Sequence, residues 1–183
     1  MNAIQILVKE HDSILQMIDV TQSILNERDV SKINMNHVEK IIDFVKNFAD
    51  KYHHLKEEDV LFVEMEKHGM PHQGGPIGVM LNEHDEGRKY IKNATQAVEI
   101  FKSGDTLIYD QIKDNLLNYC TLLTNHIYKE NNILYPMAER LLPANVKSEM
   151  SNNFKKANTS TVDNEYHDKY LKMVEELSTL YNI

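Results

Sequence analysis

Residues 52–62 read YHHLKEEDVLF, and residues 125–135 read NHIYKENNILY. Laid one on the other at an offset of 73 positions (126 − 53), Lys56 meets Lys129, Val60 meets Ile133, Leu61 meets Leu134 and Phe62 meets Tyr135. His53 then falls on His126 and Glu57 on Glu130, whereas His54 falls on Ile127 and Glu58 on Asn131. The same offset sets Glu10-His11-Asp12 on Glu83-His84-Asp85. A weak internal repeat of this kind marks two related halves of one architecture.

Helical periodicity runs through both halves. Apolar residues at Ile4, Leu7, Val8, Ile14, Leu15, Ile18 and Leu25 mark one helix face over residues 3–26. A second pattern carries Val38, Ile41, Ile42, Val45, Phe48 and Ala49 and runs to about Lys67. GMPHQGGPIG at 69–78 reads as a loop, because paired glycines and prolines do not suit a helix interior. Helices are predicted again over 77–101 and, after the Ser-Gly-Asp break at 103–105, over 106–141 with a kink or early stop at Pro136. Short connections favour antiparallel neighbours. The expectation is an all-α fold, an up-down-up-down four-helix bundle over residues 1–142. A C-terminal helical extension, 143–183, packs on its outside: a helix over 144–156, the polar link ANTSTVDN, and a last helix through Tyr181.

Bulk properties narrow the function. The chain has 183 residues and a formal net charge of −8, with no basic cluster, so nucleic acid is not an expected partner. No segment approaches the length of a membrane span, and Cys120, the single cysteine, suits a reducing compartment. A cytoplasmic protein, monomer or homodimer, is expected.

The histidines carry the chemistry. His53 shares a face with Ile42, Val45, Ala49, Val60 and Leu61, and His126 lies in line with Leu122, Leu123, Ile133 and Leu134. His11 aligns with Leu7, Val8, Leu15 and Ile18, and His84 with Ile77, Met80, Leu81 and Ile91. Each of the four helices thus turns one histidine inward, and two add a glutamate one turn later, Glu57 and Glu130. Six such groups in a hydrocarbon core are costly unless paired or bound to metal. Imidazole and carboxylate together suit divalent metals, and carboxylates readily bridge two of them. The expected arrangement is dinuclear, with His11, His53, His84 and His126 as terminal ligands and Glu57 and Glu130 as bridges.

His54 shares its face with Asp43, Lys46, Asn47 and Asp50, so periodicity sets it with Glu58 on a solvated surface; both are kept as supporting or exchangeable ligands. His167, in line with Leu171 and Val174, is a candidate to cap the bundle near the metal. Tyr52 and Tyr128 flank the ligands. The 69–78 loop is a candidate gate, and no pocket for an organic molecule is legible.

These segments, EHD at 10–12, HHLKEEDVLF at 53–62, GGPIGVMLNEHDEGR at 74–88 and HIYKENNILYP at 126–136, resemble the hemerythrin-like (HHE cation-binding) family over roughly residues 5–141. The resemblance implies a bundle holding two iron ions as an oxo- or hydroxo-bridged di-iron centre, with zinc or manganese as alternative occupants. It also implies chemistry with O₂, NO or peroxide. Oxygen-carrying members place a second histidine where this chain has Arg88, and an aspartate five residues after the fourth-helix histidine, where this chain has Glu130 at four. The site resembles the iron-sulfur-cluster repair and redox-responsive branch instead, although that branch usually adds an N-terminal cysteine-bearing region. The expected function is a non-haem di-iron protein that binds, senses or reduces O₂, NO or peroxide, with an unknown electron donor. The alternatives are an oxygen or iron carrier or store without catalysis, and a redox or iron sensor acting through a partner protein.

Overall fold

The computed structural model describes residues 2–161 and 164–183. Six helices follow in order: α1 (Ala3–Leu25), α2 (35–67), α3 (Pro76–Lys102), α4 (109–141), α5 (Ala144–Thr161) and α6 (Asn164–Tyr181), with no strand among the described residues. Asn2 starts α1 with a capping box, its side chain accepting from the Gln5 amide while the Gln5 side chain accepts from the Asn2 amide. Pro76 begins α3 just after Gly74, whose φ of 72° turns the chain out of the 69–78 loop.

Two apolar clusters order the bundle. One gathers Ile14, Met17, Phe44, Phe48, Ile91, Leu116 and Leu123; the other gathers Ile4, Leu7, Leu61, Phe62, Ile77, Met80, Leu134 and Tyr135. Along α1 the second cluster comes first, and along α2 the first does. The order reverses again in α3 and α4. Consecutive helices therefore run up, down, up and down, as expected. On every helix the switch from one cluster to the other falls at the histidines. The six inward groups form a polar layer with hydrocarbon above and below it.

The extension reaches both clusters. Met150 and Phe154 of α5 join the second, while Tyr170, Val174 and Leu177 of α6 join the first. Tyr170 stacks edge-on against Phe44, with ring centroids 6.0 Å apart, and its hydroxyl donates to Asp43 at 2.9 Å. Helix α5 runs to Thr161, past the expected end at Lys156, so most of ANTSTVDN is helical; Val162 and Asp163 lie outside the described residues.

The helices depart from the ordinary α pattern near the site. Within α2, Val45–His54 and Glu57–Leu61 are π-helical, as is Glu130–Leu134 within α4. The last two are repeat equivalents, each beginning at a glutamate. Helix α4 continues through Pro136 instead of stopping there, with its π turn just before the ring. Val63 stands at the equivalent place in α2, where the π turn forms without a proline. The wide turn thus belongs to the glutamate segment, and π turns of this kind gather at functional sites.

Cys120 lies inside the first cluster, 1% exposed, and burial pushes its thiol up to about 12. A buried thiol held protonated is a poor nucleophile. Native protein at pH 8 is expected to resist iodoacetamide, and guanidinium-unfolded protein to be fully alkylated, as read by intact mass.

Candidate metal centre

His11, His53, His84, His126, Glu57 and Glu130 all converge in the polar layer, each at most 2% exposed. Two groups form, in each of which one ligand atom per residue lies within 4.8 Å of all the others: His11, His53, Glu57 and Glu130, and His54, Glu57, His84 and His126. The Glu57 Oε2 is 3.6 Å from Nε2 of both His53 and His84. Glu130 stands 3.2 Å from His11 Nε2 through one oxygen and 3.1 Å from His126 Nε2 through the other. Each carboxylate therefore touches one histidine from each half.

The outer ring nitrogens are all engaged. Nδ1 of His53 donates to Glu10 at 3.0 Å, that of His126 to Glu83 at 2.9 Å, that of His84 to Glu58 at 2.6 Å, and that of His11 to the Asn131 amide oxygen at 2.9 Å. In the neutral ring, with the proton on Nδ1, each Nε2 presents a bare lone pair. These lone pairs face one another at 3.0 Å in the His11–His53 pair and again in the His84–His126 pair. Both Glu130 oxygens and one Glu57 oxygen are buried without a hydrogen-bond partner. Bare nitrogens and orphaned carboxylate oxygens aimed at common points fit a cation, and a layer of mixed N and O donors suits iron, zinc or manganese.

Electrostatics agree. Burial pushes His54 and His84 down to about 3, and burial with the neighbouring His11 holds His53 well below its usual range, so these rings stay neutral, the form that binds metal. Burial acts the same way on His126, but Glu130 and Glu83 outweigh it and raise this ring to about 9. The same carboxylates that hold a proton there would hold a metal ion. Behind the histidines, Lys56 pairs with Glu10 and Lys129 with Glu83, again as repeat equivalents.

The structure corrects the reading of His54. It is 5% exposed, and its ring stacks on that of His84 with centroids 3.8 Å apart. Its Nδ1 lies 3.4 Å from an Asp50 oxygen without forming a hydrogen bond. A period of 3.6 cannot place it, because ten π-helical residues precede and include it, and each i→i+5 turn takes up an extra residue. Glu58 is in neither group and supports His84 from behind, sharing its oxygen with Arg88 at 2.7 Å. His167 is also in neither group; its ring stands against Phe48 and Tyr52, at 5.7 and 5.2 Å. Tyr128 is 65% exposed and points away. The tyrosine at the site is Tyr135, which sequence reasoning left unassigned. Its hydroxyl donates to Glu57 at 2.6 Å and its ring stacks on His11. The signal for it was present in the repeat, where tyrosine replaces Phe62 at an otherwise apolar position.

A helical bundle with a buried layer of paired histidines and shared carboxylates defines a metal-binding helical protein. The family model of the hemerythrin HHE cation-binding domain matches residues 2–138, and the chain belongs to that family. It is similar to the iron-sulfur cluster repair protein YtfE of Salmonella paratyphi B, Salmonella newport and Salmonella heidelberg. Identity to each is 40% over 93 residues, covering 47% of this chain and 40% of the relative. The chain thus aligns with about two fifths of the length of these relatives. No solved structure matches it. Family and donor set together make the polar layer a metal centre.

The halves are unequal. His84 and His126 both donate to carboxylates, whereas His11 donates to an amide, because Asn131 stands where the other half has Glu58. A carboxylate behind a histidine raises its basicity as a ligand. Cobalt(II) titration of the metal-free protein, followed by absorption, is expected to show two unequal steps. Glu58→Gln should weaken the tighter one by about 10–100-fold. Two equal steps in the unmodified protein would show that the difference does not reach the metal.

Proposed function

We propose that the chain is a non-haem di-iron protein that handles O₂, NO or peroxide in an oxidative or nitrosative stress response, in the manner of an iron-sulfur-cluster repair protein. The observation that carries this reading is the pair of carboxylates, Glu57 and Glu130, each set between histidines of opposite halves. His11 and His53 would hold one ion and His84 and His126 the other, with His54 able to add a third ring to the second. Bound iron would supply electrons and an exchangeable coordination position. The similarity to YtfE, an iron-sulfur cluster repair protein, supports the repair side of the proposal.

The chain's own groups have definite tasks in this scheme. Glu10, Glu58, Glu83 and Asn131 fix the ring orientations through the Nδ1 protons, and Lys56 and Lys129 offset the charge behind them. Tyr135 holds Glu57 by its hydroxyl, and the two apolar clusters close the layer above and below. The bundle over 1–142 carries the site, and the extension over 143–183 braces it from outside. No helix among the described residues is long and apolar enough to cross a membrane, which accords with the proposed cytoplasmic location.

The test is anaerobic reconstitution with iron(II), metal analysis, and absorption spectra before and after oxidation. About two irons per chain and a new near-ultraviolet band are expected. Glu130→Ala should reduce retained iron by half or more while leaving the helical circular dichroism intact. A folded protein that retains no iron when offered it would sink the proposal.

A further inference from the structure

A cavity of about 250 Å³ adjoins one half of the metal centre, opening between α2, α3 and α4. Its floor is made by His54, His84 and His126. None of the 69–78 loop lines it, so that loop is not its gate. Water occupies about 30 Å³ of its liquid, so the space equals roughly eight water molecules. A diatomic or peroxide needs far less.

The lining describes a larger guest. Val45, Ile91 and Leu122 give apolar walls. Gly87, buried in the middle of α3, forms another wall, and a Cβ there would come within 3.3 Å of the Tyr119 ring. Glycine inside a helix is unfavourable by about 1 kcal/mol relative to alanine, so its presence here goes with the space and with the close seat of Tyr119. The Tyr119 hydroxyl is buried with no hydrogen-bond partner. The charges around the opening are mostly spoken for: Asp50 holds Arg88, which also holds Glu58, and Glu83 is taken by His126 and Lys129. Lys46 and Lys92 also line the cavity, and neither has a carboxylate partner among the described residues. The uncommitted charge is therefore positive.

We propose that this cavity is a binding site for a small organic carboxylate with an apolar body, its acid group toward Lys46 and Lys92 and its body directed at the His54–His84–His126 floor. The site rests on the di-iron reading only for the statement that its guest lies beside a metal ion. Such a guest fills the apolar volume and sets its one negative charge against the two lysines, which a gas molecule does not do.

The experiment is calorimetric titration of the iron-loaded protein with hexanoate, benzoate, acetate and hexan-1-ol, with iron content measured on the same sample. Saturable binding of hexanoate or benzoate, at least about tenfold tighter than acetate or hexanol, is expected. Leu122→Trp, which fills the cavity, should abolish it. The Lys46→Ala, Lys92→Ala double variant should weaken the carboxylates about tenfold and leave hexanol unchanged; because Lys92 is exposed and Lys46 only half-buried, this variant keeps the test valid if Leu122→Trp does not fold. Absence of saturation with all four probes, or binding indifferent to the lysine pair, would overturn the proposal. Carboxylate binding in protein that retains no iron would uphold the site while removing the di-iron reading, and iron retained without carboxylate binding would do the reverse.

Discussion

The molecule is arranged about a buried layer of donors whose charge is met from within only at His126. Four imidazoles meet Nε2 to Nε2 in two pairs at 3.0 Å, and Glu57 and Glu130 are fully buried between them. In a low-dielectric interior each uncompensated ion costs several kcal/mol, and the layer has hydrocarbon on both sides. Rotating the rings away is blocked, because every Nδ1 is tied to an acceptor on another helix. The fold therefore holds the donors in a costly arrangement that only a cation relieves. Metal binding is thereby linked to the packing that brings the four helices' donors together.

Much of this was legible because two periods survive in the sequence. The 3.6-residue period exposed the helices and the inward face of His11, His53, His84 and His126, and the 73-residue repeat separated His53 from His54. The period failed where the backbone leaves the α-helix. His54 was set on the solvated face because Asp43, Lys46, Asn47 and Asp50 surround it at α spacing, and nothing in VKNFADKYHH announces ten π-helical residues. The kink or early stop expected at Pro136 rests on α-helical geometry too, and the ring's missing N–H matters less where the turn is already wide. The supports were closer to hand. Glu10 and Glu83 immediately precede the histidines of the first and third helices, and Lys56 and Lys129 coincide in the repeat. Yet a carboxylate that faces a histidine on another helix cannot be told from a surface residue by spacing alone. ANTSTVDN looked like a link from its composition, whereas Ala144–Thr161 is a single helix, its buried Met150 and Phe154 seated on the bundle's second cluster.

The repeat keeps the donors and varies part of their surroundings. The pairs 11/84, 53/126 and 57/130 are unchanged and form the donor layer, and 10/83 and 56/129 are unchanged behind it. Among the pairs that differ, three touch the site: His54 against Ile127, Glu58 against Asn131, and Phe62 against Tyr135. The tyrosine lies on the His11 side, where its ring and hydroxyl cover His11 and Glu57. The additional histidine and the additional carboxylate lie on the His84 side, which is also where the cavity opens. A duplicated scaffold thus holds two similar donor sets in unlike surroundings. The cavity reaches the richer set of donors, from the side where His54 and Glu58 depart from the repeat.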